Sequence, residues 1–439
     1  MKELIESQIH NKTMKLLKST MSECSPDILV KKSLSVSKEN LAINDLVLND
    51  FKDIYVIGFG KASLSMYKGL VDSLSIDKIR EALIITHIDD YKNEYSNTTI
   101  IQSTHPYISD KSVTAGEQIV RFVSKLNKDD LLIALVSGGG SAMMALPIDD
   151  VSICEKVQCI SAILTAGIPE REANEIKKAL SKIKGGGLSA ASGSTRIINL
   201  ILSDERNHKL DAIASGPTVQ PKKNQAIKII EEYDISSILP KKVLKSIYSK
   251  ENMSEEESAK KIDNFLIGSR EVLIEYIKEN ASHFSFDSIH ILDNLAEIET
   301  EYAAKYLAEK YWEIYRKSAH GNHLIIATGE LQVPVKDITS SKGGRNQHLC
   351  ALMMNQVDFD FDFSFIAYAT DGVDFIEGCA GAFFTNYHLS MIKGLEVQIM
   401  KYVSERKTYY LHKQLDTLIK SRITGHNVSD FYLFSFNKI

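Results

Sequence analysis

The chain has 439 residues, of which 44% are hydrophobic and 25% charged, and its formal net charge is -5. This length favours two domains over one hydrophobic core, and the acidic balance argues against a nucleic-acid-binding protein, which needs a clustered basic surface. No run approaches the roughly 18 apolar residues of a membrane span, and charges near Met1 interrupt the apolar core that a signal peptide needs. Five scattered cysteines without a CxxC pair indicate reduced thiols. We therefore expect a cytoplasmic protein without nucleic-acid or membrane partners.

Short apolar runs recur along the chain and predict strands buried on both faces, because they do not alternate strictly with polar residues. In chain order these runs are Ile54–Ile57, Ala82–Thr86, Leu131–Val136, Ile197–Leu202, Phe265–Ile267, Ile289–Leu292, Leu324–Ala327 and Phe363–Ala369. Apolar residues at helical spacing predict helices over Val151–Thr165, over Glu170–Lys184 and from Ala303 to Ile314. Strands that alternate with helices predict βαβ units and a mainly parallel sheet.

A charged stretch from Lys241 to Lys261 is the least ordered-looking part of the sequence, although a solvated surface helix would have the same composition. We place the domain boundary at its end. The prediction is an α/β protein of two domains. Residues 1–262 form a Rossmann-like domain whose parallel sheet has helices on both faces, and residues 263–439 form a second, smaller α/β domain.

The most informative loop follows the predicted strand Leu131–Val136 and reads Ser137-Gly138-Gly139-Gly140-Ser141. Three glycines allow a sharp turn and a close approach to a ligand. The backbone N–H groups, together with the serine hydroxyls, can form an anion-binding nest, at the end of a strand where α/β proteins bind ligands. A tight turn without a ligand would have the same sequence, so the assignment of all five residues to phosphate or substrate binding depends on the other loops.

A second loop, Gly58-Phe59-Gly60-Lys61-Ala62-Ser63, begins like a dinucleotide-binding fingerprint but has Ser63 at the third glycine position. It is not a Walker loop, because Tyr55 stands where the first glycine is required. Lys61 can reach a phosphate as a point charge, or it can be an exposed lysine on the first turn of a helix. Lys184 precedes another glycine run and is either an anion ligand or a charge that complements a helix dipole.

Three further loops carry polar side chains suited to the same chemistry. Asp204 follows the predicted strand Ile197–Leu202, a position that a helix N-cap would also explain. Arg345, after Gly344 and before Asn346, places a planar donor at a helix start, where it can bind a carboxylate or a phosphate. Asp371 and Asp374 follow the predicted strand Phe363–Ala369 and suit Mg²⁺, although Asp-Gly is also an ordinary turn signal. No zinc or HExxH spacing is present, and His105 before Pro106 is typical of a turn.

The ordered set of these motifs resembles the MOFRL-type glycerate 2-kinases, from roughly residue 50 to residue 435. The matching motifs are Gly58–Ala62, Thr104–Pro106, Ser137–Ala142, Asn174–Ser181 with Lys184, Ser203-Asp204, Ile213–Thr218, Gly329-Glu330, Gly343–Gln347, Thr370–Gly372, Ala380–Ala382 and Thr424-Gly425. The resemblance implies two α/β domains with an active site in the cleft between them. It also implies ATP-dependent phosphorylation of D-glycerate at the C2 hydroxyl to give 2-phosphoglycerate, with Mg²⁺.

The resemblance implies a role for each candidate residue. Lys61 contacts phosphate oxygens, Asp204 accepts the proton of the C2 hydroxyl, and Arg345 clamps either the substrate carboxylate or the transferred phosphoryl group. Asp371 and Asp374 hold Mg²⁺. Substrate or phosphate is bound by the remaining candidates, which are Gly60, Ser137, Gly138, Gly139, Gly140, Ser141, Lys184, Gly344 and Asn346.

The chain departs from the family pattern at three places. His208 replaces a second aspartate, Gly378 replaces another beside Glu377, and His426 precedes Asn427 where the family has threonine and asparagine. These changes bear on substrate and metal more than on the fold. Three alternatives stay open: a kinase of another small hydroxy acid, a non-catalytic ligand-binding relative, and a nicotinamide-dependent hydroxypyruvate reductase. Two features argue against the reductase. Ser63 stands at the third glycine position of the dinucleotide-binding fingerprint, and no acidic residue at a strand end is placed to bind a ribose. A homodimer is possible.

Overall fold

The computed structural model describes residues 7–37, 40–89, 91–204, 209–221, 225–251, 261–334, 341–395, 397–426 and 428–439. The chain forms two compact units. The first unit is Pro26–Ile267, and the second unit combines Met1–Ser25 with Gly268–Ile439. Within the described ranges, no helix combines the length and the apolar character needed to cross a membrane.

Helix α1 (Gln8–Glu23) begins with the Ser7 hydroxyl as its N-cap and belongs to the second unit. The described elements of the first unit, in chain order, are α2 (Pro26–Ser33), β1 (Leu34–Val36), β2 (Leu41–Ile43), β3 (Leu46–Leu48), β4 (Ile54–Phe59), α3 (Ser63–Leu74), β5 (Ile79–Thr86), β6 (Thr98–Gln102), α4 (Asp110–Ser124), β7 (Leu131–Val136), α5 (Gly140–Met143), α6 (Ile153–Thr165), α7 (Glu170–Ala179), α8 (Gly187–Ala191), β8 (Arg196–Leu202), α9 (Ala226–Glu232), α10 (Lys241–Glu251) and β9 (Ile262–Gly268).

The first unit is built on a six-stranded sheet in the order β6-β5-β4-β7-β8-β9, and the strands from β6 to β8 pair in parallel. Alternate residues of these strands, among them Ile57, Leu83 and Leu132, pack with Ile119 of α4 in one core, while α3 contacts β4, β5 and β7. Since the strands run parallel, the loops that follow β4, β7 and β8 meet at one edge of the sheet.

The described elements of the second unit that follow in the chain are α11 (Arg270–Asn280), β10 (Ser288–Asn294), α12 (Thr300–Lys317), β11 (Gly321–Gly329), α13 (Arg345–Gln356), β12 (Phe363–Ala369), β13 (Cys379–Thr385), α14 (Asn386–Leu395), α15 (Ile399–Ser404), α16 (Thr408–Leu415), β14 (Leu418–Lys420) and β15 (Asp430–Lys438). The strands form a mixed sheet in the order β10-β11-β15-β12-β13-β14.

Strand β15 lies inside this mixed sheet and is antiparallel to both of its neighbours, β11 and β12. Its aromatic side chains enter the core of the unit, where Phe434 stacks on Tyr311 with 4.3 Å between ring centroids. Helix α1 covers β12 and β15 through buried hydroxyl contacts. The Thr13 and Ser435 hydroxyls are 2.6 Å apart, and His10 Nδ1 is 2.8 Å from the Ser364 hydroxyl.

The two-domain α/β prediction is confirmed, and each predicted strand is present. The predicted helix Glu170–Lys184 ends earlier, at Ala179, because the chain turns there toward its glycine run. A mainly parallel sheet describes the first unit, whereas in the second unit only β10 and β11 pair in parallel among the described strands. The units also divide the chain differently from the predicted domains: the first unit ends at Ile267 rather than 262, and α1 joins the second unit because its buried face packs on the second sheet.

Candidate active site

The turns that follow β4 and β7 are joined by direct hydrogen bonds at the sheet edge. The backbone N–H of Lys61 donates to the Gly138 carbonyl at 2.9 Å, and that of Ala62 donates to the Ser137 hydroxyl at 3.0 Å. Gly60 has a φ of +105°, and a Cβ there would lie 2.3 Å from the Ser137 carbonyl oxygen. Only glycine fits this approach. The two predicted loops therefore form one structural element, in which the Ser137 hydroxyl fixes the start of α3.

Gly139 separates the side chains of Lys61 and His105. Its φ is +87°, and a Cβ there would lie 3.0 Å from His105 Cδ2 and 3.3 Å from Lys61 Cγ. The structure thus places His105, which the sequence suggested only as a turn residue, at the predicted phosphate loop. His87 is its aromatic neighbour, with 6.1 Å between ring centroids. His105 follows β6, a strand that the sequence analysis did not predict, so the motif Thr104–Pro106 was the available signal for its place at this edge.

Lys184 meets the far end of the same loop. Its ammonium donates a hydrogen bond to the Ser141 hydroxyl, which is 3.0 Å from the Ser215 hydroxyl. Backbone bonds hold this arrangement, since Gly185 N–H donates to the Ser215 carbonyl at 2.9 Å. Burial, together with the smaller effect of the charges of Lys156 and Lys177, lowers the pKa of Lys184 to about 7. Sequence reasoning missed Lys156, although its spacing from Cys159 and Ile163 places it on the buried side of α6.

Asp204 follows β8 at the same sheet edge and is half-buried. Strands β4 and β8 both flank β7, so Lys61 and Asp204 emerge from strands about 10 Å apart on either side of the glycine loop. Of the departures from the family pattern, His208 lies outside the described residues, as does Asn207 beside it. The first unit therefore collects Gly60, Lys61, the loop Ser137–Ser141, Lys184 and Asp204 at one edge of its sheet.

In the second unit, Arg345 begins α13 and is held by two carboxylates. Its Nε and Nη2 donate to the two oxygens of Asp430 at 2.5 and 3.2 Å, and its Nη1 donates to Glu330 at 3.2 Å. Asp430 is buried, and burial raises its pKa to about 6 while the Arg345 charge opposes that shift. Sequence reasoning found the arginine but not these partners, which lie 15 and 85 positions away from it.

Asp374 holds the first turn of α13. Its carboxylate accepts the backbone N–H groups of Asn346 and Gln347 at 3.0 and 2.8 Å, and burial raises its pKa. A Cβ at Gly344 would lie 2.1 Å from the same carboxylate. The Asn346 side-chain amide bridges Asp374 and Asp430. Four predicted site residues, Gly344, Arg345, Asn346 and Asp374, are thus brought together around one helix start.

Asp371 lies just before this turn and is half-buried, and its Oδ1 accepts the N–H of Val373 at 3.0 Å. In the part of the chain that the structure describes, no three His, Cys, Asp or Glu side chains are grouped as a metal would require. Mg²⁺ keeps several waters and takes only one or two carboxylates, so Asp371 and Asp374 stay predicted metal ligands. Asp371 fits that role better, because the oxygens of the buried Asp374 already bind the helix.

Two family models match the chain: a domain of unknown function, DUF4147, over residues 12–248, and the MOFRL family over residues 323–430. The glycerate 2-kinase of Pyrococcus horikoshii is 27% identical over 440 residues, covering 98% of each protein. The glycerate 2-kinase of Picrophilus torridus is 28% identical over 417 residues, covering 93% of this chain and 94% of the relative.

A crystal structure of a Pyrococcus horikoshii protein has the same fold, with a TM-score of 0.82 at 25% identity, and it covers 99% of this chain and 100% of that one. The resemblance to the MOFRL-type glycerate 2-kinases is confirmed, because the MOFRL model matches the second half of the chain and the relatives that match nearly its whole length are named glycerate 2-kinases. The chain belongs to the DUF4147 family, whose match spans more than half of its length, and carries a MOFRL family domain in its second half.

Proposed function

We propose that the protein is a kinase that transfers the γ-phosphoryl group of ATP to the C2 hydroxyl of D-glycerate, giving 2-phosphoglycerate and ADP. The observation that carries this proposal is the single sheet edge at which a glycine-lined loop lies between Lys61 and Lys184 and is flanked by Asp204. Phosphoryl transfer needs positioning and charge neutralisation more than covalent chemistry from the protein. The names of the relatives described above favour glycerate as the acceptor.

Each residue has a separate part in the proposed reaction. The C2 oxygen attacks the γ-phosphorus, the bond from that phosphorus to the bridging β,γ-oxygen breaks, and ADP leaves. Asp204 orients the hydroxyl and accepts its proton as the new P–O bond forms. Lys61, held over Gly139 by the loop contacts, neutralises charge that builds on the phosphoryl oxygens. Backbone N–H groups of Gly138, Gly139 and Gly140 are the proposed additional donors.

The second unit contributes a cation and a metal ligand to the proposal. Arg345 is proposed to bind the substrate carboxylate or the phosphoryl group through the N–H groups that Asp430 does not occupy, with the ligand replacing Glu330 at Nη1. Mg²⁺, when bound, would neutralise the ATP phosphates. Asp371 is the residue that we propose to hold it directly, with Asp374 as the second candidate.

A coupled ADP-release assay with Mg-ATP tests the proposal across D-glycerate, hydroxypyruvate and short sugar acids. We expect turnover with D-glycerate, and a phosphorus NMR signal of the product that is a doublet, because carbon C2 bears one hydrogen. A triplet would place the phosphate on the C3 hydroxyl and contradict the regiochemistry. Binding of glycerate without any ADP release would instead favour a non-catalytic relative.

A further inference from the structure

The two carboxylate partners of Arg345 differ sharply in burial. Its Nε and Nη2 donate to Asp430, whose side chain is 4% exposed, whereas its Nη1 donates at 3.2 Å to Glu330, whose side chain is 47% exposed. A buried ion pair cannot be opened without leaving a charge uncompensated, while an exposed pair contributes little to stability. The bond to Asp430 is therefore permanent, and the bond to Glu330 can be exchanged.

The fold places both carboxylates at the same end of the second sheet. Gly329, the last residue of β11, lies opposite Asp430, the first residue of β15. The Gly329 carbonyl accepts a hydrogen bond from the Tyr432 hydroxyl at 3.2 Å, and the Glu330 carbonyl accepts one from the Glu297 N–H at 3.1 Å. The backbone of Glu330 is thus fixed beside Arg345, and its half-exposed side chain is the part that can move.

An incoming anion competes with Glu330 for the guanidinium. Asp430 occupies the edge formed by Nε and Nη2, so a ligand that binds through two N–H groups must use the edge formed by Nη2 and Nη1. Nη1 already donates to Glu330, and a second oxyanion there would bring two like charges close together. One guanidinium between two carboxylates has an excess of negative charge, so this group repels an anion until Glu330 turns away.

We propose that Glu330 is an internal competitor for Arg345 and determines which ligands this arginine binds. Without a ligand, Glu330 holds the guanidinium in its binding orientation, and an oxyanion then takes its place at Nη1. An uncharged ligand offers no replacement for the displaced charge, so the exchange selects carboxylates and phosphates. Since the energy of the Glu330 contact is subtracted from that of the ligand contact, removing the Glu330 charge tightens binding. The proposal rests on the proposed function for the identity of the oxyanion.

Calorimetric titration of the whole protein without nucleotide tests the exchange, with D-glycerate and inorganic phosphate as separate probes. We expect Glu330→Gln, which keeps the size of the side chain and removes its charge, to tighten binding of at least one probe by about twofold to fivefold, as an exposed ion pair allows. The probe that responds is the oxyanion that Arg345 binds. The matched control is Glu297→Gln, which removes the exposed charge of a residue bonded to Glu330 through its backbone and should leave both affinities unchanged.

The two partners of Arg345 should respond in opposite directions. Glu330→Gln should leave the melting temperature nearly unchanged, because the pair that it breaks is exposed. Asp430→Asn removes the buried partner that orients the guanidinium, so it should lower the melting temperature and weaken binding of the same probe. If Asp430→Asn does not fold, the affinities of Glu330→Gln and of its control still decide the proposal.

Several outcomes would overturn the exchange. Weaker or unchanged binding of both probes in Glu330→Gln would do so, because Glu330 would then support the ligand or not compete with it. An equal gain in Glu297→Gln would attribute the effect to net charge rather than to Arg345. If neither probe binds the wild type or Glu330→Gln, Arg345 has no oxyanion to exchange and the proposal is wrong. If Glu330→Gln binds a probe more tightly but the wild type does not phosphorylate D-glycerate, the exchange stands and the proposed substrate is wrong.

Discussion

The guanidinium of Arg345 forms two hydrogen bonds with the buried carboxylate of Asp430, at 2.5 and 3.2 Å. This pair fixes the direction in which the remaining N–H groups of Arg345 point, so the residue is an oriented donor rather than a mobile cation. Removing one member of a buried pair costs more than removing both, because the remaining charge is left without compensation.

We expect Arg345→Met to lower the free energy of unfolding by about 3–5 kcal/mol at pH 7.5, and by less at pH 5. Without the arginine, burial raises the pKa of Asp430 further above its value in the unfolded chain. The cost of its charge therefore grows as the pH rises through that range. Urea unfolding at both pH values measures the difference. The double variant Arg345→Met/Asp430→Asn should be more stable than Arg345→Met at pH 7.5, and equal stability would contradict a charge effect.

Lys61→Met should lower kcat by orders of magnitude and leave the fold intact, because Lys61 is half-buried and its backbone N–H, not its side chain, binds Gly138. The ADP-release assay measures kcat, and the melting temperature shows whether the fold is intact. Lys68→Met, an exposed lysine on α3, is the control. Near-wild-type turnover in Lys61→Met would remove the residue from the proposed mechanism.

A single methyl group at Gly139 should disturb the site through contacts with His105 and Lys61 in addition to backbone strain. Gly193 provides the matched comparison, since its φ of +60° is also left-handed but a Cβ there meets nothing within 4 Å. We expect both Gly139→Ala and Gly193→Ala to lose about 1–2 kcal/mol of stability. Only Gly139→Ala should also lose turnover, and steady-state kinetics with denaturation curves separate the two effects. Equal turnover in the two variants would show that the contacts of the added methyl group with His105 and Lys61 do not affect catalysis.

The depressed pKa of Lys184 predicts how stability depends on pH. Between the folded pKa of about 7 and the ordinary value of 10.5, the unfolded chain binds the proton and the folded chain does not. Stability from this group therefore rises with pH in that window, by at most about 1.4 kcal/mol per pH unit. Lys184→Met lacks this contribution, so the stability of the wild type relative to this variant should increase from pH 7 to pH 9. A constant difference between the two urea-unfolding curves would contradict the shifted pKa.

The sequence allowed the loops to be predicted better than their surroundings. Gly60, Ser137 and Lys184 stand in short patterns whose backbone consequences are local, and these loops lie at the sheet edge as expected. Lys156 escaped prediction because a lysine on a helix is normally solvated, whereas this side chain is fully buried.

Long-range pairing limited the prediction of the second unit. Strand β15 has an aromatic-rich pattern, but its place between β11 and β12 depends on partners far away in sequence. The same holds for α1, whose apolar stripe is visible in the sequence while the sheet that it covers is formed near the other end of the chain. Neither pairing leaves a local signal in the sequence, so the sequence analysis predicted neither of them.

The interior place of β15 has a consequence for biosynthesis. During translation, Pro26–Ile267 is complete long before β15 leaves the ribosome, so the first unit can fold while its companion is still unfinished. Helix α1, although made first, must wait for residues around Ser435 before its polar contacts exist. A nascent chain stalled just before residue 430 would contain the complete parallel sheet of the first unit. In its aromatic-rich second unit, β11 and β12 would each lack the strand that pairs between them. Such unpaired strand edges promote aggregation, so this state would need protection.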